Sequence, residues 1–453
     1  MQRILLVEPD FPIPNKSRNH KNFLPIGLLK IASYLMATGH TIKLVWGIPK
    51  TLEDQFNLES FNPDEVWVTS LFTYWADYVR EAVQYYKGLF PAARVIVGGI
   101  YASLHTKEQV KAFTGCDEVH QGVMPEAEKY APAYDLIEEL NGEPIDYQII
   151  HASRGCKRKC EFCGTWIIEP KFKTEKSIKD RVTHKKLVFY DNNLLMNPHI
   201  ESILEELAEL KKEKKILWCE SQSGLDGRIL VKKPHLAKML KNAGFRYPRI
   251  AWDWGLKEHT RIKKQLDILT EAKYPAKDLY VFMIYNWEIG FEEMEKKRIK
   301  CYEWGVQIAD CRHRPFSQLH DHYKAMKMQT SEDYYIDERW TDAQIKQFRR
   351  NVRQQNICVR QGLPFYSNSL EHMRVDKETV KKAKAIQDRK TQEQYLRDLN
   401  IDFWYPGGIR PPKTEIHHAE VELGQHRLEV GSDHTQCALI VEICPVTNLE
   451  DTV

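Results

Sequence analysis

The sequence predicts an α/β fold in three parts: an N-terminal parallel-sheet domain, a partial (β/α)6 TIM-like barrel, and a mainly helical C-terminal region. Short runs rich in Val, Ile and Leu alternate with segments of helical spacing, first over residues 1–125 and again over residues 147–325. Strands alternating with helices imply parallel sheets covered on both faces. A further observation marks a centre. Cys156, Cys160 and Cys163, spaced C-x3-C-x2-C, lie in the loop after the apolar extended run Tyr147 to Ile150.

At 453 residues the chain has room for about three domains of ~150 residues each. The net charge of +3 and pI near 8.2 are close to balance, so charge does not point to nucleic acid. Basic runs such as Lys157 to Lys159 read as solvated faces. No stretch approaches the ~18 apolar residues of a membrane span. The first ten residues do not read as a signal peptide, because their short apolar run meets an acid at once. The expectation is a cytoplasmic protein with reduced thiols, in which ten cysteines favour metal chemistry over disulfides. Cys116, Cys219, Cys301, Cys311, Cys358, Cys437 and Cys444 show no paired spacing and read as inert buried thiols.

In the first domain, Arg3 to Glu8 reads as a buried strand, and Pro12 and Pro14 force a loop after it. Apolar residues at 28, 31, 32 and 35 have helical spacing, and Gly39 suits the helix end. Strands follow at Thr41 to Trp46, Val66 to Ser70, Arg94 to Val97 and Glu118 to Gln121, with helices at Tyr74 to Leu89 and Lys107 to Phe113. Together these make a flavodoxin-like (Rossmann-like) domain over residues 1–125, in which ligands sit beyond the carboxyl ends of the strands. Gly98 and Gly99 lie at one such end. They serve equally a tight strand-to-helix turn or a close approach of backbone to a ligand. The G-x-G-x-x-G fingerprint of dinucleotide binding is missing. Residues 126–146, with Pro132 and mixed charge, suit a linker.

The central segment, 147–325, adds strands at Lys186 to Tyr190, Ile216 to Glu220, Arg249 to Trp252, Leu279 to Tyr285 and Val306 to Asp310. Asn197 and Pro198 read as N-cap and first residue of the helix after the first of these. Polar residues gather at strand ends: Asp191, Asn192, Gln222, Asp253, Asn286 and Arg312. In a barrel that is the catalytic face. Lys273 stands where a helix end favours Gly. Three thiolates on one loop are one short of a closed four-ligand site, which leaves a coordination position open; zinc would ask for a fourth ligand such as His151. In the C-terminal region, 326–453, Thr341 to Arg360 reads as a helix whose arginines (Arg349, Arg350, Arg353, Arg360) could meet an anion, although a solvated face is the ordinary role. His417, His418, His426 and His434 follow Pro412, with no assigned chemistry.

C-x3-C-x2-C after the first strand of such a barrel, with Phe162 before the third cysteine, resembles the radical S-adenosylmethionine enzymes over roughly residues 145–320. The N-terminal domain, with Gly98-Gly99 and Gly122 to Glu126 after its last strands, resembles the cobalamin-binding type. It departs from that family in lacking the Asp-x-His-x-x-Gly loop whose His ligates cobalt: Asp10 is followed by Phe-Pro, and His20 stands outside the motif. The resemblance implies that Cys156, Cys160 and Cys163 hold a 4Fe–4S cluster whose fourth iron binds S-adenosylmethionine. A low-potential electron then releases a 5′-deoxyadenosyl radical that abstracts hydrogen from substrate. Phe162 would pack beside the cofactor. Asp191 or Asn192 would accept from the methionine amine. Gln222 and Asp253 would contact carboxylate or ribose, or serve as plain loop hydrogen-bonders.

With cobalamin bound against Gly98 and Gly99, the implied reaction is methyl transfer to an unactivated carbon. Without cobalamin it is rearrangement, cyclisation or sulfur insertion such as methylthiolation. A metal-binding scaffold that retains the fold is the reading from another class. The partners implied are a small-molecule or peptide substrate and an external low-potential electron donor, with no membrane and no nucleic acid.

Overall fold

The computed structural model describes residues 1–12, 24–372 and 376–412. His20, the four histidines after Pro412, Cys437 and Cys444 lie outside them. The described chain divides into two compact units: Met1–Ser223 with Arg314–Tyr335, and Gly224–His313 with 336–412. The division falls inside the segment expected to form the barrel.

The first unit begins with strands β1 (Arg3–Glu8), β2 (Thr41–Trp46), β3 (Glu65–Ser70), β4 (Arg94–Gly99) and β5 (Glu118–Val119). All pair in parallel, in the order β2-β1-β3-β4-β5. This is the flavodoxin-like order, with its switch point between β1 and β3. The alternation of buried residues explains the two covered faces. Leu5, Val7, Val66, Val68, Val95 and Val97 pack with Val79, Val83 and Tyr86 of the helix Ala76–Leu89. Ile4, Leu6 and Leu44 pack with Leu28, Leu29, Ala32 and Leu35 of the helix Ile26–Ala37. A further helix, Leu52–Phe61, is capped by Thr51, whose hydroxyl accepts from Asp54 N at 3.1 Å. Only Leu58 of it is buried, so its sequence carries almost no apolar stripe.

The same unit continues with β6 (Gln148–Ile150), the antiparallel pair β7 (Ser153–Arg154) and β8 (Lys173–Thr174), then β9 (Lys186–Phe189) and β10 (Trp218–Ser221). Strands β6, β9 and β10 form a parallel sheet in sequence order. The helix after β9 is Ile200–Lys212, and Asn197 does not cap it. Its amide nitrogen donates instead to Ala152 O at 2.8 Å and Glu175 O at 3.0 Å, so it ties loops together.

The second unit carries β11 (Arg249–Ala251), β12 (Tyr280–Tyr285) and β13 (Gln307–Arg312), again parallel and in sequence order. The six strands expected of the barrel thus form two sheets of three. Lys273 adopts the left-handed conformation, φ +69°, where the sequence would favour Gly. The helix Asp342–Gln361 starts with a capping box between Thr341 and Gln344. It runs beside β13, whose other neighbour is β12. Asn356 accepts from Ile308 N at 2.9 Å and donates to Ile308 O at 2.7 Å, covering backbone groups on the outer edge of the sheet. Arg349 on this helix is buried beside Asp310 rather than solvated.

Arg298, on the helix Phe291–Glu303, is fully buried with Glu295. It pairs with both Glu295 oxygens at 2.8 Å and donates to Gln355 Oε1, Pro406 O and Gly408 O at 2.6–2.7 Å. The C-terminal region beyond residue 335 is helical among the described residues. No helix among them is long and apolar enough to cross a membrane.

Candidate functional site

The cysteine loop leaves β6, and the three residues after Tyr190, at the end of neighbouring β9, fasten it. The Asp191 carboxylate accepts from Ala152 N at 3.1 Å and from Ser153 Oγ at 2.7 Å. Asn192 accepts from Gly155 N at 3.0 Å, and its amide nitrogen lies 3.3 Å from Thr165 Oγ1, beyond the third cysteine. The amide nitrogen of Asn193 is 3.9 Å from Cys156 Sγ. Both ends of the loop are therefore held by consecutive side chains. Gly155 is needed at the turn: its φ is +75°, and a Cβ there would stand 2.6 Å from Lys171 O.

Asp191 is fully buried. Burial pushes its carboxyl up to about 6, against the opposing hydrogen bonds from Ser153 and Ala152. Its hydrogen bonds thus run to the loop's own backbone and to Ser153. Gln222, just past β10, is also fully buried; its backbone N–H donates to Phe189 O and its amide nitrogen to Glu220 at 3.1 Å. Asp253 belongs to the second unit, two residues past β11. Burial raises its carboxyl to about 6, with Lys297 and Arg228 opposing. Asn286 is committed to backbone, accepting from Asp337 N at 2.9 Å.

Cys156, Cys160 and Cys163 are partly exposed and none is in a disulfide. Cys156 Sγ accepts from Arg158 N at 3.3 Å, and Cys163 Sγ lies 3.3 Å from Thr165 Oγ1. Cys160 O accepts from Cys163 N and from the Trp166 indole. Phe162 is buried. Among the described residues, no three His, Cys, Asp or Glu side chains are grouped closely enough to hold a single metal ion. The loop fits a cluster in kind. Iron–sulfur clusters are held by thiolates and tuned by hydrogen bonds to sulfur, and this loop offers three thiols with polar donors beside them.

Gly98 and Gly99 lie elsewhere in the same unit, on a cleft of about 150 Å³ at the carboxyl ends of β3 and β4. Gly99 has φ +100°, and an added Cβ would stand 2.2 Å from Ser70 O. The neutral part of its lining includes Trp67, the two glycines, His120 and Met124. The rest is charged, with Lys30, Glu128, Arg154 and Glu169. Lys30 donates to Glu128 at 2.8 Å. Arg154 forks onto both oxygens of Glu169 and stands 3.6 Å from Glu128.

Arg154 also stands 3.3 Å from His151 Nε2. A guanidinium only donates, so that nitrogen accepts. Burial, with Arg154, Lys30 and Arg181 nearby, keeps His151 neutral by holding its pKa well down. Arg154 stands two residues before Cys156, so the cleft and the cysteine loop share a wall. No sequence pattern announces this network, whose first pair is 98 residues apart.

No protein-family model matches the chain, and no curated protein matches it in sequence. Among solved structures, that of the cobalamin-dependent S-adenosylmethionine radical enzyme OxsB with aqua-cobalamin and S-adenosylmethionine bound is similar at TM-score 0.48 and 13% identity, over 67% of this chain and 52% of that one. The same enzyme with aqua-cobalamin bound gives 0.46 and 14%, over the same shares. A cobalamin-binding protein from Desulfitobacterium hafniense DCB-2 gives 0.20 and 20%, over 28% of this chain and 55% of that one. The chain thus spans about half the length of these proteins. Likeness of this degree carries no functional argument, so function must be argued from the site.

Proposed function

We propose that this chain is a radical S-adenosylmethionine enzyme that holds a 4Fe–4S cluster on Cys156, Cys160 and Cys163. Its reaction is cobalamin-dependent methyl transfer to an unactivated carbon of a small molecule or peptide, driven by an external low-potential electron donor in the cytoplasm. The observation that carries the reading is the C-x3-C-x2-C loop at the end of β6, with side chains from the end of β9 fastening it on both sides. When bound, the cluster with S-adenosylmethionine supplies a 5′-deoxyadenosyl radical and cobalamin supplies the methyl group.

The chain's own residues position and enclose. Asp191 and Asn192 hold the cysteine loop in shape, and Asn193 sets an amide beside Cys156. Buried Phe162 excludes water next to the third thiol. Gln222, in the unit that carries the cysteine loop, is the proposed contact to the S-adenosylmethionine carboxylate or ribose. The cleft at Gly98 and Gly99 is the proposed cobalamin seat, its glycines letting backbone close on the ligand and its charged wall meeting polar groups.

Anaerobic reconstitution with iron, sulfide and hydroxocobalamin tests both parts. The expected product is brown and holds about four irons per chain, with a bound-cobalamin spectrum, and it releases 5′-deoxyadenosine under strong reductant. Cys156→Ala should lower iron to below about one per chain. Stoichiometric zinc without iron would overturn the cluster; an iron-loaded protein with no bound cobalamin would remove only methyl transfer.

A further inference from the structure

The carboxyl ends of the second unit's sheet carry aromatic rings, one beyond each strand: Trp254 after β11, Trp287 after β12 and His313 after β13. Trp254 and Trp287 have ring centroids 5.4 Å apart at an interplanar angle of 50°. Trp287 and His313 are 5.8 Å apart at 43°. These are the distances of interacting aromatic pairs. The neighbouring tryptophans Trp252, Trp287 and Trp340 are 0–7% exposed, whereas Trp254 keeps 42% of its surface exposed.

That exposure is built into a braced turn. The Trp252 indole donates to Gly255 O at 3.2 Å, and Leu256 N donates to Glu293 at 2.6 Å. A Cβ at Gly255 would stand 2.8 Å from the same Glu293 oxygen, so a larger residue there would push that side chain off the turn. An indole that keeps 42% of its surface in water on a braced turn presents area beyond what its own packing covers. At the end of a parallel sheet where ligands ordinarily bind, it serves as a stacking surface.

We propose that Trp254, backed by Trp287 and His313, is a binding site for one planar aromatic ring of a small ligand. The inference goes beyond the cluster reading and stands without it. With Trp287 only 7% exposed, the accessible area suits a single ring and not a protein face. Stacking on an exposed indole is worth about a tenfold change in affinity or more, and it tolerates varied ring chemistry because it reads the π-face.

The test is saturation-transfer NMR on the full chain, titrating indole-3-acetamide against cyclohexaneacetamide, a non-aromatic probe of similar size. The expected result is saturable binding of the indole alone. Trp254→Ala should weaken it about tenfold and Trp254→Phe should largely retain it, with unchanged circular dichroism because the side chain is partly exposed. Absence of saturation, equal binding in Trp254→Ala, or equal binding of the cyclohexane probe would overturn the site.

Discussion

The β6-β9-β10 and β11-β12-β13 sheets have the same plan: three parallel strands in sequence order. The residues beyond their strand ends differ. After β9 come Asp191, Asn192 and Asn193, whose side chains turn to the cysteine loop. After β11, β12 and β13 come Trp254, Trp287 and His313, with one ring left half in water. Polar ends have immobilised a piece of the protein's own chain, while aromatic ends have kept a surface. The same contrast holds for buried charge. Asp191 has both oxygens in hydrogen bonds. Asp310 on β13, equally raised to about 6 by burial against the opposing charge of Arg349, has one oxygen without a hydrogen-bond partner.

Three substitutions sharpen that contrast. The largest effect is expected at Arg298, where Arg298→Ala leaves Glu295 buried without its ion-pair partner. Breaking a buried pair from one side costs about 3–5 kcal/mol, read as a lower guanidinium midpoint. A smaller loss should follow Asp191→Asn, which puts an amide donor where two donors now point. The expected cost is about 1–3 kcal/mol, together with faster loss of iron from the reconstituted protein.

The smallest and opposite effect is expected at Asp310→Asn. The folded carboxyl near 6 lies above its unfolded value of about 3.9. Its contribution to stability is therefore complete below about pH 4 and is lost as pH rises through about 6. Removing the carboxyl removes that loss, so the variant should gain on the wild type between about pH 4 and 7 in urea titrations. A variant equally destabilised at all pH values would show that the carboxylate is needed there.

The local parts of this molecule were legible. Thr41–Trp46 is a strand with the bounds its sequence suggests, and Lys273 occupies the left-handed position its place implied. The three cysteines could be read because thiols so close along the chain announce themselves without tertiary structure. The role of Asp191 could not. A polar strand end reads alike whether it faces a ligand or its neighbour's loop, and only packing separates the two. Asn197 read as a helix cap for the same reason, its tertiary partners Ala152 and Glu175 lying 45 and 22 residues away. The helix Leu52–Phe61 escaped notice because one buried leucine makes no periodicity. The cleft's charged wall joins Lys30, Glu128 and Arg154, which no spacing rule connects.

Asn356 has a consequence beyond the site. A bare outer strand is a template on which a foreign strand can add, and that is how many folded proteins begin to clump. By giving both backbone groups of Ile308 to a side-chain amide, the chain closes that seat with its own helix. That edge of the sheet can therefore stay uncovered by a further strand without inviting aggregation at that point.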